Sequence, residues 1–168
     1  MAGWNTSSTW MKIALICLCL GLLLFVIAFA TTGWMVYTAY GYDRANGLWE
    51  FKDCTGRGCV SGDVNPNRLM NDWYRATQAM ECFGLICIVI ATFLLLLYFF
   101  VASCKRRNAL LATIVFTFAS VGFIVIGIAI FASKFDNYGY EVGWSMGLAI
   151  AAAILAFVAG IMEVLEIK

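Results

Sequence analysis

The chain contains seven cysteines and no histidine, and these two counts limit the chemistry that its side chains can support. Histidine is the usual general base and a common zinc ligand, so its absence argues against the commonest hydrolytic and zinc sites. Cys54 and Cys59 flank residues 55–58, where two glycines indicate a tight turn. Two cysteines across a hairpin on the oxidising side of a membrane are good candidates for a disulfide. Zinc is a poor alternative, because two thiols do not complete its ligand set.

The other five cysteines predict no catalytic site, because none is paired with a candidate base. Four of them lie in or beside apolar segments and are expected to be buried thiols: Cys17, Cys19, Cys82 and Cys87. Cys104 is the last residue of an apolar segment and precedes three basic residues, which makes it a candidate for reversible palmitoylation. We therefore predict no catalytic residue, no cofactor-binding residue and no metal ligand.

Composition indicates an integral membrane protein. Hydrophobic residues make up 63% of the chain and charged residues 12%, whereas an average soluble protein is roughly half apolar and about a quarter charged. The net charge of +1 offers no basic surplus to neutralise nucleic-acid phosphates. The predicted partner is the lipid bilayer, and nucleic acid is not expected to bind.

Four apolar stretches are long enough to cross a bilayer, which takes about 20 helical residues. They cover residues 13–33, 82–104, 109–133 and 142–165. Since backbone groups in hydrocarbon must pair internally, these stretches are predicted to be helices of a single four-span domain, residues 1–168. A first loop covers residues 35–74, and a second covers residues 134–141.

The short linker between the second and third spans carries three consecutive basic residues, Lys105, Arg106 and Arg107. Because basic residues in short loops favour the cytoplasmic side, both chain ends are predicted to be cytoplasmic, and the long first loop and the short second loop to be extracellular. The expected location is the plasma membrane. Four tryptophans near the span ends are expected to anchor at the headgroup level: Trp10, Trp34, Trp73 and Trp144.

Charged residues are nearly absent from the spans. The second span has none after Glu81, and the fourth has only Glu163, near its end, where the carboxylate is expected to reach the headgroups. Proton relays, ion-coupled transporters and voltage sensors generally need intramembrane charges. The sequence therefore argues against these classes.

Small residues repeat at intervals of four along the fourth span, which favours close helix packing. The two stripes are Gly143, Gly147 and Ala151, and Ala152, Ala156 and Gly160. They are interpreted either as packing inside one bundle or as a seam between copies of the chain.

The first loop contains strand-forming segments. Residues 34–42 are rich in aromatic and β-favouring types and predict one strand. Asn46 and Gly47 predict a hairpin turn after it, since both residue types tolerate positive φ. Residues 48–52 then alternate, with Trp49 and Phe51 on one face.

Several of these residues together resemble the W…GLW…C…C signature of the claudin, peripheral myelin protein and epithelial membrane protein superfamily. The residues that carry the resemblance are Trp34, Gly47, Leu48, Trp49, Cys54 and Cys59, with Arg75 before the second span similar to the arginine found there in claudins. Four spans with a long first loop match as well, so the resemblance covers nearly the whole chain. The spacing from Trp49 to Cys54 is longer than in claudins, and that from Cys54 to Cys59 is shorter.

The resemblance implies an all-α membrane protein: a left-handed four-helix transmembrane bundle with a small extracellular antiparallel β-sheet, stapled by a Cys54–Cys59 disulfide. Trp49 would lie at the membrane edge and hold the sheet on the bundle. The implied function is not enzymatic. We expect a protein of cell–cell contacts, including tight junctions, that associates with itself or with other claudin-like proteins.

Association would use the sheet edges and the loop tyrosines Tyr37, Tyr40 and Tyr42, for adhesion or for a paracellular barrier or pore. Loop charges such as Asp53, Arg57 and Asp63 would set the selectivity of a pore, but their mixed signs predict no preference. The alternative hypothesis is an auxiliary subunit that binds and modulates a larger channel or receptor, docked through the small-residue seam.

Overall fold

Four long helices and a small sheet make up the computed structural model, which describes residues 8–39, 41–64, 72–101, 107–134 and 139–167. The helices are α1 (Thr9–Ala30), α2 (Asp72–Phe100), α3 (Arg107–Ala132) and α4 (Trp144–Ile167). Each is long and apolar enough to cross a membrane. The chain is therefore a multi-pass membrane protein. Tyr40, Cys104, Lys105 and Arg106 lie outside the described residues.

The helix boundaries differ from the predicted spans, most of all for α2. This helix begins at Asp72, whereas the apolar stretch begins at residue 82. The first turns of the helix carry polar residues, so a search for apolar runs does not include them in the span. The start of α1 also differs from the predicted span: the helix begins at Thr9, four residues before residue 13. Ser8 caps it, since the serine hydroxyl accepts a hydrogen bond from the amide of Met11 at 3.4 Å.

Small residues let the helices pack closely. Helix α1 packs chiefly against α4, and α2 packs chiefly against α3. A side chain at Gly21 of α1 would come within 3.3 Å of the Ala152 carbonyl oxygen, and one at Gly160 of α4 would come within 3.0 Å of the Phe118 ring on α3. Ala152, Ala156 and Gly160 are all buried. The structure thus places this stripe inside the bundle.

The other stripe on α4 is divided. A side chain at Gly143 would collide with the carbonyl oxygen of Gly33, so this glycine is required by a close approach of two backbones. Ala151 is half-buried, and Gly147 is exposed with open space beside its Cα. Gly147 therefore contributes nothing to packing among the described residues.

The sheet lies at the end of the bundle where α1 and α3 finish and where α2 and α4 begin, which we call the sheet end. Its strands are β1 (Met35–Ala39), β2 (Tyr42–Asn46), β3 (Glu50–Thr55), β4 (Gly58–Asp63) and β5 (Glu141–Val142). Their order is β4-β3-β2-β1-β5, and all the neighbours are antiparallel. The first four strands come from the loop between α1 and α2, and β5 comes from the loop between α3 and α4. The sheet therefore joins the two loops.

The predicted single strand over residues 34–42 is wrong. The chain turns at Gly41, whose φ of 79° favours glycine, and it returns as β2. Asn46 ends β2 and pairs with Met35, so the Asn-Gly pair joins β2 to β3 and does not close the first hairpin. The predicted turn at the Asn-Gly pair does form, between the antiparallel strands β2 and β3, and the hairpin that the sequence analysis missed is the one at Gly41.

The disulfide between Cys54 and Cys59 is confirmed. The two residues are direct partners across β3 and β4, with Cα atoms 4.0 Å apart. The bridge spans a hairpin that is already closed by the strand ladder. It removes little chain entropy, so its main effect is to fix the strand register.

Two acidic side chains are buried within the bundle. Glu163 was expected to reach the headgroups, but it is fully buried and accepts a hydrogen bond from the Thr117 hydroxyl at 3.1 Å. Glu81 is also fully buried, and its oxygens have no hydrogen-bond partner among the described residues. Its carboxyl group fills the notch that Gly127 leaves on α3. Among the described residues, packing against α3 holds Glu81.

The expectation of buried span cysteines is wrong for Cys19, which is exposed on the outward face of α1, and Cys17, Cys82 and Cys87 are only partly buried. Short apolar stretches do not reveal which face of a helix turns outward when both faces are apolar.

Gly143, just before α4, and Gly147, in its first turn, provide a matched stability test. We expect Gly143→Ala to lower the free energy of unfolding by about 1–3 kcal/mol, because the new methyl group collides with the Gly33 backbone. Gly147→Ala should raise the free energy of unfolding by about 0.5 kcal/mol, because alanine favours a helix and the site is open. Unfolding in detergent micelles, followed by tryptophan fluorescence, measures both. Equal effects at the two positions would contradict the packing described.

Candidate functional site

The sheet is fixed to the bundle first by the linker between α1 and β1. The Gly33 amide donates to the Ser145 hydroxyl at 3.0 Å, and the Ser145 amide donates to the Gly33 carbonyl at 2.9 Å. One residue further on, the Gly143 amide donates to the Trp34 carbonyl at 3.0 Å. Amides at the start of a helix have no partner within it, so the linker supplies the acceptors that the first turn of α4 needs.

Trp34 forms the second attachment, and it is not the interfacial anchor that was expected. Its side chain is fully buried, and the indole N–H donates to the Ala28 carbonyl at 2.7 Å. The ring packs on Phe131 at the end of α3, with centroids 5.5 Å apart. Trp73 and Tyr74 of α2 pack on the same Phe131 ring at 5.8 and 5.6 Å. These four rings, the aromatic cluster, join the first loop, α2 and α3.

The third attachment is the segment Gly47, Leu48 and Trp49 between β2 and β3, which we call the docking loop. Tyr74 donates a hydrogen bond to the Gly47 carbonyl, and the Gln78 amide nitrogen donates to the Leu48 carbonyl at 2.6 Å. Leu48 is fully buried. A side chain at Gly47 would come within 2.5 Å of the Thr31 carbonyl oxygen, so only glycine fits.

Trp49 and Arg75 occupy the rim of this attachment. Trp49 is 40% exposed and packs on Phe29 of α1 with ring centroids 5.3 Å apart. Trp49 lies at the edge of the contact between sheet and bundle, while Trp34 and Leu48 are buried inside that contact. Arg75 lies exposed on the first turns of α2, one residue after Tyr74. The structure thus brings Trp34, the docking loop and α2 together and leaves Arg75 at the surface.

A charged cluster crosses β2 and β3. Arg44 is the direct strand partner of Asp53, and its Nε lies 3.3 Å from the Asp53 carboxylate. The guanidinium also lies over the Phe51 ring, 5.7 Å from its centroid. Desolvation, and beyond it the negative charge of Asp53, raises the pKa of the nearby Tyr42 phenol.

One long edge of the sheet has no partner strand among the described residues. That edge is β4, where Val60 is 68% exposed. The opposite edge, β5, is only two residues long. The Val64 amide donates to the Trp49 carbonyl, and antiparallel pairs alternate between bonded and non-bonded. By this alternation the pair of Val64 and Trp49 is bonded, and the pair of Ser61 and Lys52 is non-bonded. The backbone N–H and C=O of Ser61 therefore point away from β3, toward the outer edge of β4.

This region presents exposed side chains and the backbone groups of a strand edge. In the part of the chain that the structure describes, no three cysteine or acidic side chains group together as metal ligands would. The sequence analysis missed Tyr74 and Gln78, which donate to the docking loop. Their spacing of four, at a polar start to an apolar span, was the available signal.

Gln78 tests the attachment of the docking loop. In Gln78→Leu the buried Leu48 carbonyl loses its donor, so we expect the free energy of unfolding to fall by about 1–3 kcal/mol. Amide hydrogen exchange should become faster in residues 46–50. The control is Thr92→Val, because the Thr92 hydroxyl donates only to the Ile88 carbonyl of its own helix. Unchanged exchange in residues 46–50 of Gln78→Leu would contradict this attachment.

Comparison with known proteins agrees with the fold. Residues 7–163 match the family model described as PMP-22/EMP/MP20/Claudin. The chain is also similar to the lens fiber membrane intrinsic protein of Homo sapiens, with 26% identity over 159 residues that cover 88% of this chain and 85% of that protein. The resemblance predicted from Trp34, the docking loop and the two cysteines is confirmed. A match over this length, on a four-helix bundle with a disulfide-linked sheet, shows that the chain belongs to the PMP-22/EMP/MP20/Claudin family.

Proposed function

We propose that this protein is a non-enzymatic component of cell–cell contacts that associates through its sheet, for adhesion or for a paracellular barrier or pore. The observation that carries the proposal is the six-residue strand β4, which has no partner on its outer edge among the described residues and belongs to a sheet that three attachments hold on the bundle. An unpaired strand edge is a template for a strand from another chain. Its partners would be other copies of this chain or other claudin-like proteins.

The proposed orientation places the sheet outside the plasma membrane and both chain ends in the cytoplasm. The Cys54–Cys59 disulfide supports this, because disulfides persist in oxidising compartments and are rare in the cytosol. Arg107 begins α3 at the opposite end of the bundle and completes the basic linker. Basic residues in a short linker favour the cytoplasmic side.

The geometry of the β4 edge favours association through backbone hydrogen bonds. Ser61 presents its N–H and C=O outward, and the exposed Val60 offers an apolar side chain beside them. Tyr37 lies on β1 with its ring 5.7 Å from that of Tyr140. Such rings and the Tyr42 phenol would add contacts beyond the backbone pairing.

Orientation can be tested with two single-cysteine additions. Glu141→Cys lies exposed at the sheet end, and Arg107→Cys lies exposed at the opposite end. We expect a membrane-impermeant maleimide to label Glu141→Cys on intact cells, above the labelling of the unsubstituted chain, and Arg107→Cys only after permeabilisation. The reverse pattern would place the sheet in the cytosol and contradict the proposal.

Edge pairing can be tested at Ser61. Ser61→Pro removes the outward N–H without touching the ladder to β3, whereas Ser61→Ala keeps that N–H. In cells that lack other proteins of this family, we expect freeze-fracture images to show particle strands at contacts for the unsubstituted chain and for Ser61→Ala. Ser61→Pro should reach the surface but lose the strands.

Strands that persist in Ser61→Pro would contradict edge pairing. If the unsubstituted chain forms no strands and co-purifies in fixed ratio with a larger channel or receptor, the alternative function as an auxiliary subunit replaces this proposal.

A further inference from the structure

The strands of the sheet run outward from the bundle. The docking loop, which packs on the bundle, joins β2 to β3, and the Val64 amide after β4 donates to the Trp49 carbonyl of that loop. The turns at Gly41 and between β3 and β4 close the opposite ends of the hairpins. Asp63 therefore ends β4 next to the bundle, and Arg57 precedes β4 in the turn at its far end.

Charges of opposite sign mark the two ends of the β4 edge. Arg57 and Asp63 are both exposed, and neither forms an ion pair among the described residues. At the near end, Asp63 is the direct strand partner of Glu50, which is exposed as well. Like charges directly opposite on two strands destabilise their pairing. The near end of the edge thus carries an uncompensated negative charge, and the far end carries an uncompensated positive charge.

We propose that the β4 edges of two copies in apposed membranes pair antiparallel, about a two-fold axis at Val60. This inference rests on the proposed association through β4 and specifies its partner and its register. In an antiparallel pair the second copy has the opposite strand direction, and a two-fold contact uses the same surface on both copies. Because the strands run outward from the bundle, the bundle of the second copy must lie on the other side of the contact, in the facing membrane.

Charge selects antiparallel over parallel pairing. In the antiparallel register Arg57 of each copy lies level with Asp63 of the other, so both ends of the interface join opposite charges. Two copies in the same membrane both direct their strands outward, so their β4 edges can pair only in parallel. Arg57 would then lie level with Arg57, and Asp63 with Asp63, which places like charges together at both ends. The edge therefore fits a partner from the facing membrane.

The backbone and side chains of β4 fit the same register. By the alternation along β3 and β4, Cys59 and Ser61 both turn their N–H and C=O groups outward. The register pairs Cys59 of each copy with Ser61 of the other, so these groups meet. On the opposite face of the sheet the exposed Val60 meets Val60 of the second copy. Gly58 and Gly62 flank it on that face and carry no side chain that obstructs the contact.

Charge reversal in two cell populations tests the arrangement. Cells that lack other proteins of this family express the full chain with either Arg57→Asp or Asp63→Arg. Each variant alone opposes like charges at both ends, so we expect the aggregation of suspended cells to fall about tenfold. Mixing the populations opposes unlike charges again and should restore aggregation between them. Glu141→Arg, which reverses an exposed acid at the other edge of the sheet, is the control and should aggregate normally.

Cysteine substitution tests the register. Across a non-bonded antiparallel pair the Cα atoms are about 4.5 Å apart, which suits a disulfide. Val60→Cys in two cell populations with different tags should therefore give a disulfide-linked dimer that contains both tags. Gly62→Cys is the control, because the two Gly62 residues lie four positions apart along the strands, or about 14 Å. Equal surface biotinylation shows that the variants fold; if Val60→Cys is not delivered, charge reversal decides the test.

Four results would overturn the proposal. Cells with the unsubstituted chain that do not aggregate would exclude pairing between membranes. Mixed variant populations that aggregate no better than either alone would exclude contact between Arg57 and Asp63. Crosslinked dimers with a single tag would place both copies in one membrane. A crosslink between Val60→Cys and Gly62→Cys cells, without one between Val60→Cys cells, would identify a register centred on Ser61.

These outcomes are separate from the test of the proposed function. Particle strands that Ser61→Pro abolishes would leave association through β4 standing, even where the charge reversals and crosslinks overturn the antiparallel arrangement.

Discussion

The structure depends on pairing backbone polar groups where the chain leaves the helices, because a hydrocarbon layer supplies no water to do so. At the sheet end three carbonyls receive a donor from outside their own helix or strand. Gly33 receives the Ser145 amide, Ala28 the Trp34 indole, and Leu48 the Gln78 side chain. These bonds cannot be made by any helix alone. A sheet joined to four helices in this way is held firmly on the bundle.

Much of this arrangement could be predicted from the sequence. The spans follow from runs of apolar residues, and the disulfide follows from two cysteines around a glycine-rich turn. The start of α2 could not be found in the same way, because Tyr74 and Gln78 are polar residues that become buried only through the docking loop. The first hairpin was also misplaced. Gly41 and the Asn-Gly pair are both turn signals, and both turns form: Gly41 joins β1 to β2, and the Asn-Gly pair leads from β2 into β3.

Burial of the two acids shows where periodicity fails. Hydropathy treats Glu81 and Glu163 as boundary residues of their spans, yet both are fully buried. Glu163 is accommodated by the Thr117 hydroxyl, and Glu81 by the missing side chain of Gly127 on the neighbouring helix. In both cases the residue that accommodates the acid, Thr117 or Gly127, lies on a neighbouring helix. A single-sequence pattern describes one helix at a time, so it cannot supply the partner that makes burial tolerable.

Helix α4 shows how one apolar helix serves two purposes. Its inner stripe, Ala152, Ala156 and Gly160, is buried against α1 and α3, where small size allows close approach. Its outer face carries Gly147 in the open, followed by bulky Ile154 and Phe157. Because lipid is as apolar as the helix, hydrophobicity cannot assign these faces, and only shape can. The buried stripe fixes the bundle that supports the sheet, which leaves the outer face free of packing demands and able to match lipid instead.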